Sequence, residues 1–365
     1  MAGFTPSRLV LARRRRGWTK KVLAEKSGLS NKILWAYEAG AKEPTPATLE
    51  HLAEVLDFPA GFFSLPDADE LPLVGASFRA LSRTTATKRD QALSAGQLAL
   101  QLSDWIQKQF VLPEPTIPRY QGIDPETAAQ AVRSEWGLGE TPIRNMIHLL
   151  EAHGVRVFSL FEENRDIDAF SVWRAGVPYV FLNTMKSAEH SRMDAAHELG
   201  HLVMHIYHEA PRGRDEEHQA QLFGAAFLMP RASVIGSAPR SARISDLIVA
   251  KRQWNVALAN LVYRMHQLQL LTDWQYRSLF VEMGSLGYRT NEPNPVAPEA
   301  SQVLAKVFQN LREEGVRRAD VAARLEIPVE ELNKMIFGLV LTDLPGGGVK
   351  NGDPKPSATK LRVVN

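Results

Sequence analysis

Two histidines four residues apart, with a glutamate directly after the first, form the clearest chemical motif of the chain. The segment reads His197-Glu198-Leu199-Gly200-His201. On an α-helix, residues i and i+4 lie on one face, so both imidazoles can bind the same metal ion. Glu198 lies beside them and can take a proton from a metal-bound water molecule. The pattern predicts a helical metal site with its own general base.

A tetrahedral catalytic metal needs a third protein ligand. The chain contains no cysteine, which leaves histidine and carboxylate groups as the candidates. Glu217 precedes the apolar Ala220 by three residues and Phe223 by six, so it lies near the buried face of the next helix. Glu216 is rotated about 100° away from it. We therefore prefer Glu217 as the third ligand, with Glu216 and His218 as alternatives.

Further polar residues surround the motif. His205 continues the helix face of the two histidines, but a drift of about 40° per four residues turns it away from the ion. It is an alternative ligand, or a residue that interacts with the negative end of the helix dipole. The sequence does not identify the group that would stabilise an oxyanion; His205, Tyr207 and Asn183 are the candidates.

Two longer segments resemble the ImmA/IrrE family of zinc metallopeptidases. They are Asp194-Ala-Ala-His-Glu-Leu-Gly-His-Leu-Val-Met-His205 and Glu217-His-Gln-Ala-Gln-Leu-Phe-Gly-Ala-Ala-Phe-Leu-Met-Pro230. The family has HExxH, then Glu-x-x-Ala-Asn-x-Phe-Ala, and a Leu-Met-Pro ending. The resemblance covers about residues 125–235 and implies a zinc peptidase. It makes His197, His201 and Glu217 the metal ligands and Glu198 the general base.

This chain departs from the family pattern at two positions of the second segment. Gln221 stands where the family usually has Asn, and Gly224 stands where it usually has Ala. Neither residue is a ligand, so the departures affect only the expected local packing.

The N-terminal 65 residues carry the basic excess of the chain, with ten Lys or Arg and six Asp or Glu, whereas the whole chain has a net charge of +2. Residues that typically begin or end helices predict short helices in this segment. Thr19 and Ser30 can cap helix starts, and Gly28 can make the turn between two helices. The spacing is that of a helix-turn-helix, whose second helix enters the major groove of DNA.

Residues 7–65 resemble the Xre-type helix-turn-helix of phage repressors. The resemblance implies binding to double-stranded DNA as a homodimer. Lys20 replaces the family's usual Gln, and Trp35 replaces a usually small residue. We expect basic side chains at the phosphates, among them the run Arg13–Arg16 and Lys21. The predicted DNA contacts are Lys20, Ser30, Asn31, Lys32, Trp35 and Lys42.

The remaining pattern predicts the elements that position these residues. Apolar residues at helical spacing alternate with Gly and Pro breaks, and three short apolar runs at 155–161, 169–172 and 177–182 predict a small sheet. We expect a multidomain, mainly α fold with a small β-sheet. Its parts are a five-helix helix-turn-helix domain (1–65), a linker and connecting helix (66–118), a central α+β zincin-like peptidase domain (119–235), a C-terminal helical region (236–343) and a flexible tail (344–365).

Together these features predict a cytoplasmic, DNA-binding transcriptional regulator with a zinc-dependent endopeptidase domain. Manganese is the alternative metal. No run of about 18 apolar residues is present, so we expect no membrane partner. The protein substrate would be a repressor or the chain itself. The alternative is a transcription factor whose peptidase-like domain is a non-catalytic sensor or partner-docking module. Residues 311–335 have the spacing of a helix-turn-helix, so a second contact with DNA there is an alternative to a plain helical bundle.

Overall fold

Helices dominate the chain, and one three-stranded sheet interrupts them near its middle. A computed structural model describes residues 3–71, 85–160, 169–205 and 213–340. The predicted fold class, mainly α with a small β-sheet, is confirmed. Part of the predicted linker, Tyr207 and the whole predicted tail lie outside the described residues. Among the described helices, none combines the length and the apolar character that crossing a bilayer requires.

Four short α-helices and a 3-10 helix build the N-terminal unit, as the sequence predicts. Thr19 Oγ1 accepts a hydrogen bond from the backbone N–H of Val22, and Ser30 Oγ from that of Ile33. Gly28 has a φ of 68° in the turn between α2 and α3, a region that favours glycine. The bounds are α1 Pro6–Arg15, α2 Lys20–Ser27, α3 Asn31–Glu38, α4 Pro46–Leu56 and the 3-10 helix Ala60–Ser64.

A long helix connects this unit to the central domain. It is α5, Ala86–Gln109, and α6 Pro125–Glu135 and α7 Met146–Ala152 follow it. The sheet comes next, with β1 Arg156–Ser159, β2 Ala169–Arg174 and β3 Val177–Leu182. Its strand order is β1-β3-β2. β1 runs parallel to β3, and β2 runs antiparallel to it.

The sheet lies between two helices because its strands are apolar on both faces. One face packs on α5, where a Cβ on Gly96 would lie 3.1 Å from the Phe170 ring. The other face packs on α8, Ala188–Met204, through Ser171 and the Trp173 indole, which donates to the carbonyl of Leu202. The sheet thereby supports the helix that carries the HExxH motif.

The remaining described elements are all helices. α9, Arg214–Leu228, packs on α8. The helices beyond it are α10 Arg231–Ser237, α11 Ile244–Ala250, α12 Leu258–Gln267, α13 Asp273–Ser285, α14 Gln302–Glu313, α15 Arg318–Arg324 and α16 Val329–Ile336, with a 3-10 turn at Lys251–Gln253.

The last helices pack against the first, which changes the role of the arginine run. Arg15 Nε donates to Glu331 Oε2 of α16 at 2.6 Å, and Arg16 Nη1 donates to Glu331 Oε1 at 3.2 Å. Arg13 binds Glu38 instead. The expectation that these arginines contact phosphates is wrong for Arg13 and Arg15, because both are buried and paired with an internal carboxylate. Arg16 is partly buried beside the same carboxylate as Arg15. In the run only Arg14 is classed as exposed.

The contact between Glu331 and the arginines of α1 also bears on the predicted helix-turn-helix-like segment at 311–335. Glu331 and Met335 of α16 are buried. The helix packs against α5 and β1 rather than presenting that face outward. The face of α16 that carries Glu331 and Met335 is therefore covered by other parts of this protein.

Candidate functional site

The predicted motif lies in the middle of α8. Ser187 Oγ caps this helix by accepting from the backbone N–H of His190. Two glycines let α9 approach α8 closely. A Cβ on Gly200 would lie 3.0 Å from the Phe223 ring, and one on Gly224 would lie 3.0 Å from the backbone nitrogen of His197. The departure from the family's usual Ala at position 224 therefore fits a tight helix crossing directly behind the motif.

Three side chains of the predicted site lie together where the two helices cross. The Nε2 atoms of His197 and His201 are 3.1 Å apart. Glu217 Oε2 lies 3.4 Å from Nε2 of His197, and Glu217 Oε1 lies 3.5 Å from Nε2 of His201. Among the described residues, these three form the only group of at least three His, Cys, Asp or Glu side chains whose ligand atoms lie close enough to hold a metal ion.

The spacing of these atoms fits a tetrahedral ion. Ligands about 2.0–2.1 Å from a tetrahedral zinc are about 3.3 Å from one another. The two Nε2 atoms are 3.1 Å apart, and each has a Glu217 oxygen at a similar distance, Oε2 at 3.4 Å from His197 and Oε1 at 3.5 Å from His201. Glu217 Oε1 is buried and accepts no hydrogen bond of normal geometry. A buried oxygen without a donor is costly, and a cation would compensate it. The cluster is thus suited to a metal ion held by two imidazole nitrogens and one carboxylate.

The charges of the cluster depend on one another. Burial raises the pKa of Glu217, but the facing imidazoles of His197 and His201 outweigh it and hold that pKa well below its usual range. Burial lowers the pKa of His197, but Glu217 and Glu198 outweigh it and raise that pKa. The carboxylate of Glu217 is therefore ionised, as a ligand must be.

Glu198 points toward the sheet and is held there. One oxygen of its carboxylate, Oε2, accepts a hydrogen bond from Ser171 Oγ of β2 at 2.6 Å. Both residues are buried. This hydrogen bond fixes the orientation of the Glu198 carboxylate. The sequence analysis missed Ser171 as a contact of the predicted general base, because nothing in the sequence places β2 beside Glu198.

The alternative ligands lie elsewhere. Glu216 Oε2 accepts from the backbone N–H of Gly213 and so closes the first turn of α9, and His218 is exposed. His205 lies behind His201, with its Nδ1 2.9 Å from Nδ1 of His201. Asn183 Oδ1 accepts from the backbone N–H of Met185, so this candidate for oxyanion stabilisation serves a local turn.

The predicted DNA contacts lie on the N-terminal unit. Asn31, Lys32 and Trp35 are exposed on α3, and the Trp35 side chain is 60% exposed. Lys42 is also exposed. Ser30 caps α3, since its Oγ accepts from the backbone N–H of Ile33. Its side chain is therefore engaged at the N-terminus of the helix. Lys20 Nζ lies 3.1 Å from Glu38 Oε2, so its charge is shared with an internal carboxylate.

Comparison with protein families identifies both parts. A helix-turn-helix family model matches residues 9–63. A model of the M78 peptidase family, described as the IrrE N-terminal-like domain, matches residues 150–266, which contain the whole cluster. A comparison with curated proteins gave no match. The chain therefore joins a helix-turn-helix domain to an ImmA/IrrE-type, metallopeptidase-like domain.

Proposed function

We propose that this protein is a DNA-binding transcriptional regulator whose central domain is a zinc-dependent endopeptidase. Its substrate would be a repressor or its own chain. The carrying observation is the cluster of His197, His201 and Glu217 with distances of 3.1–3.5 Å, next to Glu198 on the same helix. A domain that served only as a sensor would have no need of a glutamate at position 198.

The residues of the cluster divide the chemistry between them. His197, His201 and Glu217 would hold zinc, with manganese as the alternative, and zinc lowers the pKa of a bound water molecule to about 7. Glu198 would act as the general base: it would take a proton from a water molecule that attacks a peptide carbonyl and pass that proton to the leaving amine. Ser171 keeps the carboxylate of Glu198 in one orientation.

The sheet supports a peptide as the substrate. β2 pairs with β3 on one side, and among the described residues no strand pairs with its other side. Ser171 on β2 contacts Glu198, so this edge lies beside the proposed general base. An extended peptide can bind such an edge through main-chain hydrogen bonds.

The N-terminal unit supports a role at DNA. α3 presents Asn31, Lys32 and Trp35 to solvent, and side chains of these types reach base edges or phosphates in the major groove. Helix-turn-helix proteins commonly bind paired half-sites as dimers. We therefore propose a homodimer on DNA.

Glu198→Gln separates catalysis from metal binding, because the substitution removes the base but none of the three ligands. Purified full-length protein would be incubated with its own chain and with a proteome-derived peptide library, with and without added zinc, and new N-termini would be identified by mass spectrometry. Metal-dependent cleavage that is lost in Glu198→Gln supports the peptidase. Zinc binding without any cleavage would favour the alternative, a regulator with a sensor or docking domain. Cleavage retained in Glu198→Gln would remove Glu198 from the mechanism.

A further inference from the structure

A chain of hydrogen-bonding groups extends from the metal cluster on the side opposite the proposed ion. His201 Nδ1 lies 2.9 Å from His205 Nδ1, and His205 Nε2 lies 3.0 Å from Gln219 Oε1. Both imidazoles are buried, with 0% of His201 and 3% of His205 exposed. The geometry therefore connects a candidate metal ligand, through a second imidazole, to a side chain of α9.

The orientation of the Gln219 amide and the number of hydrogens on each imidazole together set the direction of these hydrogen bonds. A neutral imidazole carries one N–H and one bare nitrogen. Gln219 Oε1 can only accept, so the N–H of His205 is on Nε2 and its Nδ1 is bare. The N–H of His201 is then on Nδ1, where it donates to His205. Nε2 of His201 then carries a lone pair instead of a hydrogen, and it faces Nε2 of His197 and Oε1 of Glu217.

Reversing the Gln219 amide would reverse every step. Its NH2 group would then donate to His205 Nε2, His205 Nδ1–H would donate to His201 Nδ1, and the proton of His201 would sit on Nε2. That nitrogen could not bind a metal ion. The orientation of the Gln219 amide thus determines whether Nε2 of His201 can bind a metal ion.

We propose that His205 and Gln219 are positioning residues that hold His201 in the tautomer required of a metal ligand. The proposal rests on the metal site of the proposed function. It connects α9 to both nitrogens of the His201 imidazole, one directly and one through His205. Glu217 faces its Nε2, and Gln219 acts on its Nδ1 through His205. It also explains why His205 is not itself a ligand, because both of its nitrogens are engaged.

Substitutions at His205 can separate the hydrogen bond from packing. In asparagine, Oδ1 occupies the same place in the side chain as Nδ1 of histidine, and it can accept from His201. Leucine has a methyl group there and cannot accept. We expect His205→Leu to weaken zinc affinity by about 10- to 100-fold, the range typical for residues that orient metal ligands, and His205→Asn to restore most of the loss. Zinc affinity is measured by competition with a chromophoric chelator, with zinc alone as the probe.

Gln219 offers an independent test, because its side chain is only partly buried and can be replaced without changing the buried imidazoles. Gln219→Glu keeps an acceptor and should retain zinc affinity, whereas Gln219→Met removes the acceptor and should weaken it. Thermal unfolding of the metal-free variants reports whether each one folds. Equal affinities of His205→Leu and wild type, or an asparagine variant as weak as the leucine variant, would overturn the proposal. A wild-type protein that binds no zinc would instead overturn the proposed function.

Discussion

Glu331 of the last described helix lies 2.6 Å from the guanidinium of Arg15 in the first helix, 316 positions earlier in the chain. Only 3% of the Arg15 side chain and 2% of the Glu331 side chain are exposed. The same carboxylate also contacts Arg16 and Lys334. One buried anion therefore compensates cations from both ends of the protein.

Removing this anion should destabilise the whole chain. Glu331→Ala leaves the buried charge of Arg15 with less compensation, and breaking a buried pair from one side typically costs about 3–5 kcal/mol. We expect a lower free energy of unfolding in chemical denaturation. Glu330→Ala is the matched control, because Glu330 is the exposed neighbour on the same helix. Equal losses in the two variants would show that the ion pair does not carry the effect.

Metal content should distinguish the two neighbouring glutamates of α9. Glu217→Ala and His201→Ala should each remove the bound metal, because the cluster would retain only two ligands. Glu216→Ala should keep about one metal ion per chain, since Glu216 contacts the backbone of Gly213. Elemental analysis of the purified proteins gives the answer. Metal retained in Glu217→Ala but lost in Glu216→Ala would exchange the roles of the two glutamates.

DNA affinity should depend on α3. The double variant Lys32→Ala with Trp35→Ala removes a cation and an exposed aromatic side chain from the predicted reading surface, so it should bind an operator selected in vitro more weakly. Fluorescence anisotropy measures the affinity, and zinc content should stay unchanged. The control pair is Lys108→Ala with Trp274→Ala, which are also exposed but lie outside the N-terminal unit. Unchanged binding in the α3 variant would mean that another surface reads the DNA.

Stability should change with pH through Glu151. Its carboxylate accepts hydrogen bonds from Ser301 Oγ and from the backbone N–H groups of Gln302 and Val303 at the start of α14. Burial raises its pKa from 4.5 to about 7. Between these values the folded protein holds a proton that the unfolded chain has lost. The resulting stabilisation is complete below pH 4.5 and is lost as pH rises through about 7, a change on the order of 3 kcal/mol.

Glu151→Gln cannot lose that proton. The melting temperature of the wild type minus that of this variant should therefore fall between pH 5 and pH 8. Glu314→Gln, at the exposed end of α14, should give a nearly constant difference. A constant difference for Glu151→Gln as well would contradict the raised pKa.

Local features of the sequence were enough to predict much of the fold. Thr19 and Ser30 cap the helices that their positions indicated, because a cap acts on an N–H only three residues away. The spacing of Glu217 from the apolar face of α9 placed it opposite the two histidines for a similar reason. Helical periodicity determines which residues of one helix face its neighbour.

Features that depend on distant partners could not be predicted in this way. The run Arg13–Arg16 has the composition of a phosphate-binding surface, and only the fold brings Glu331 against it. Ser171 became recognisable only when β2 was placed beside Glu198. Gln219 carries no signal of its own, since its role depends on the ring of His205.

The pairing of the first and last helices also limits what a single cut could achieve. Arg15 and Arg16 bind Glu331, Arg8 binds Gln101, and Gln101 in turn binds the carbonyl of Leu325. If the chain were severed between its N-terminal unit and α5, these contacts would still join the two fragments. The nicked protein would give two bands on a denaturing gel and one peak on a sizing column. Self-cleavage at that place would thus loosen the N-terminal unit without releasing it.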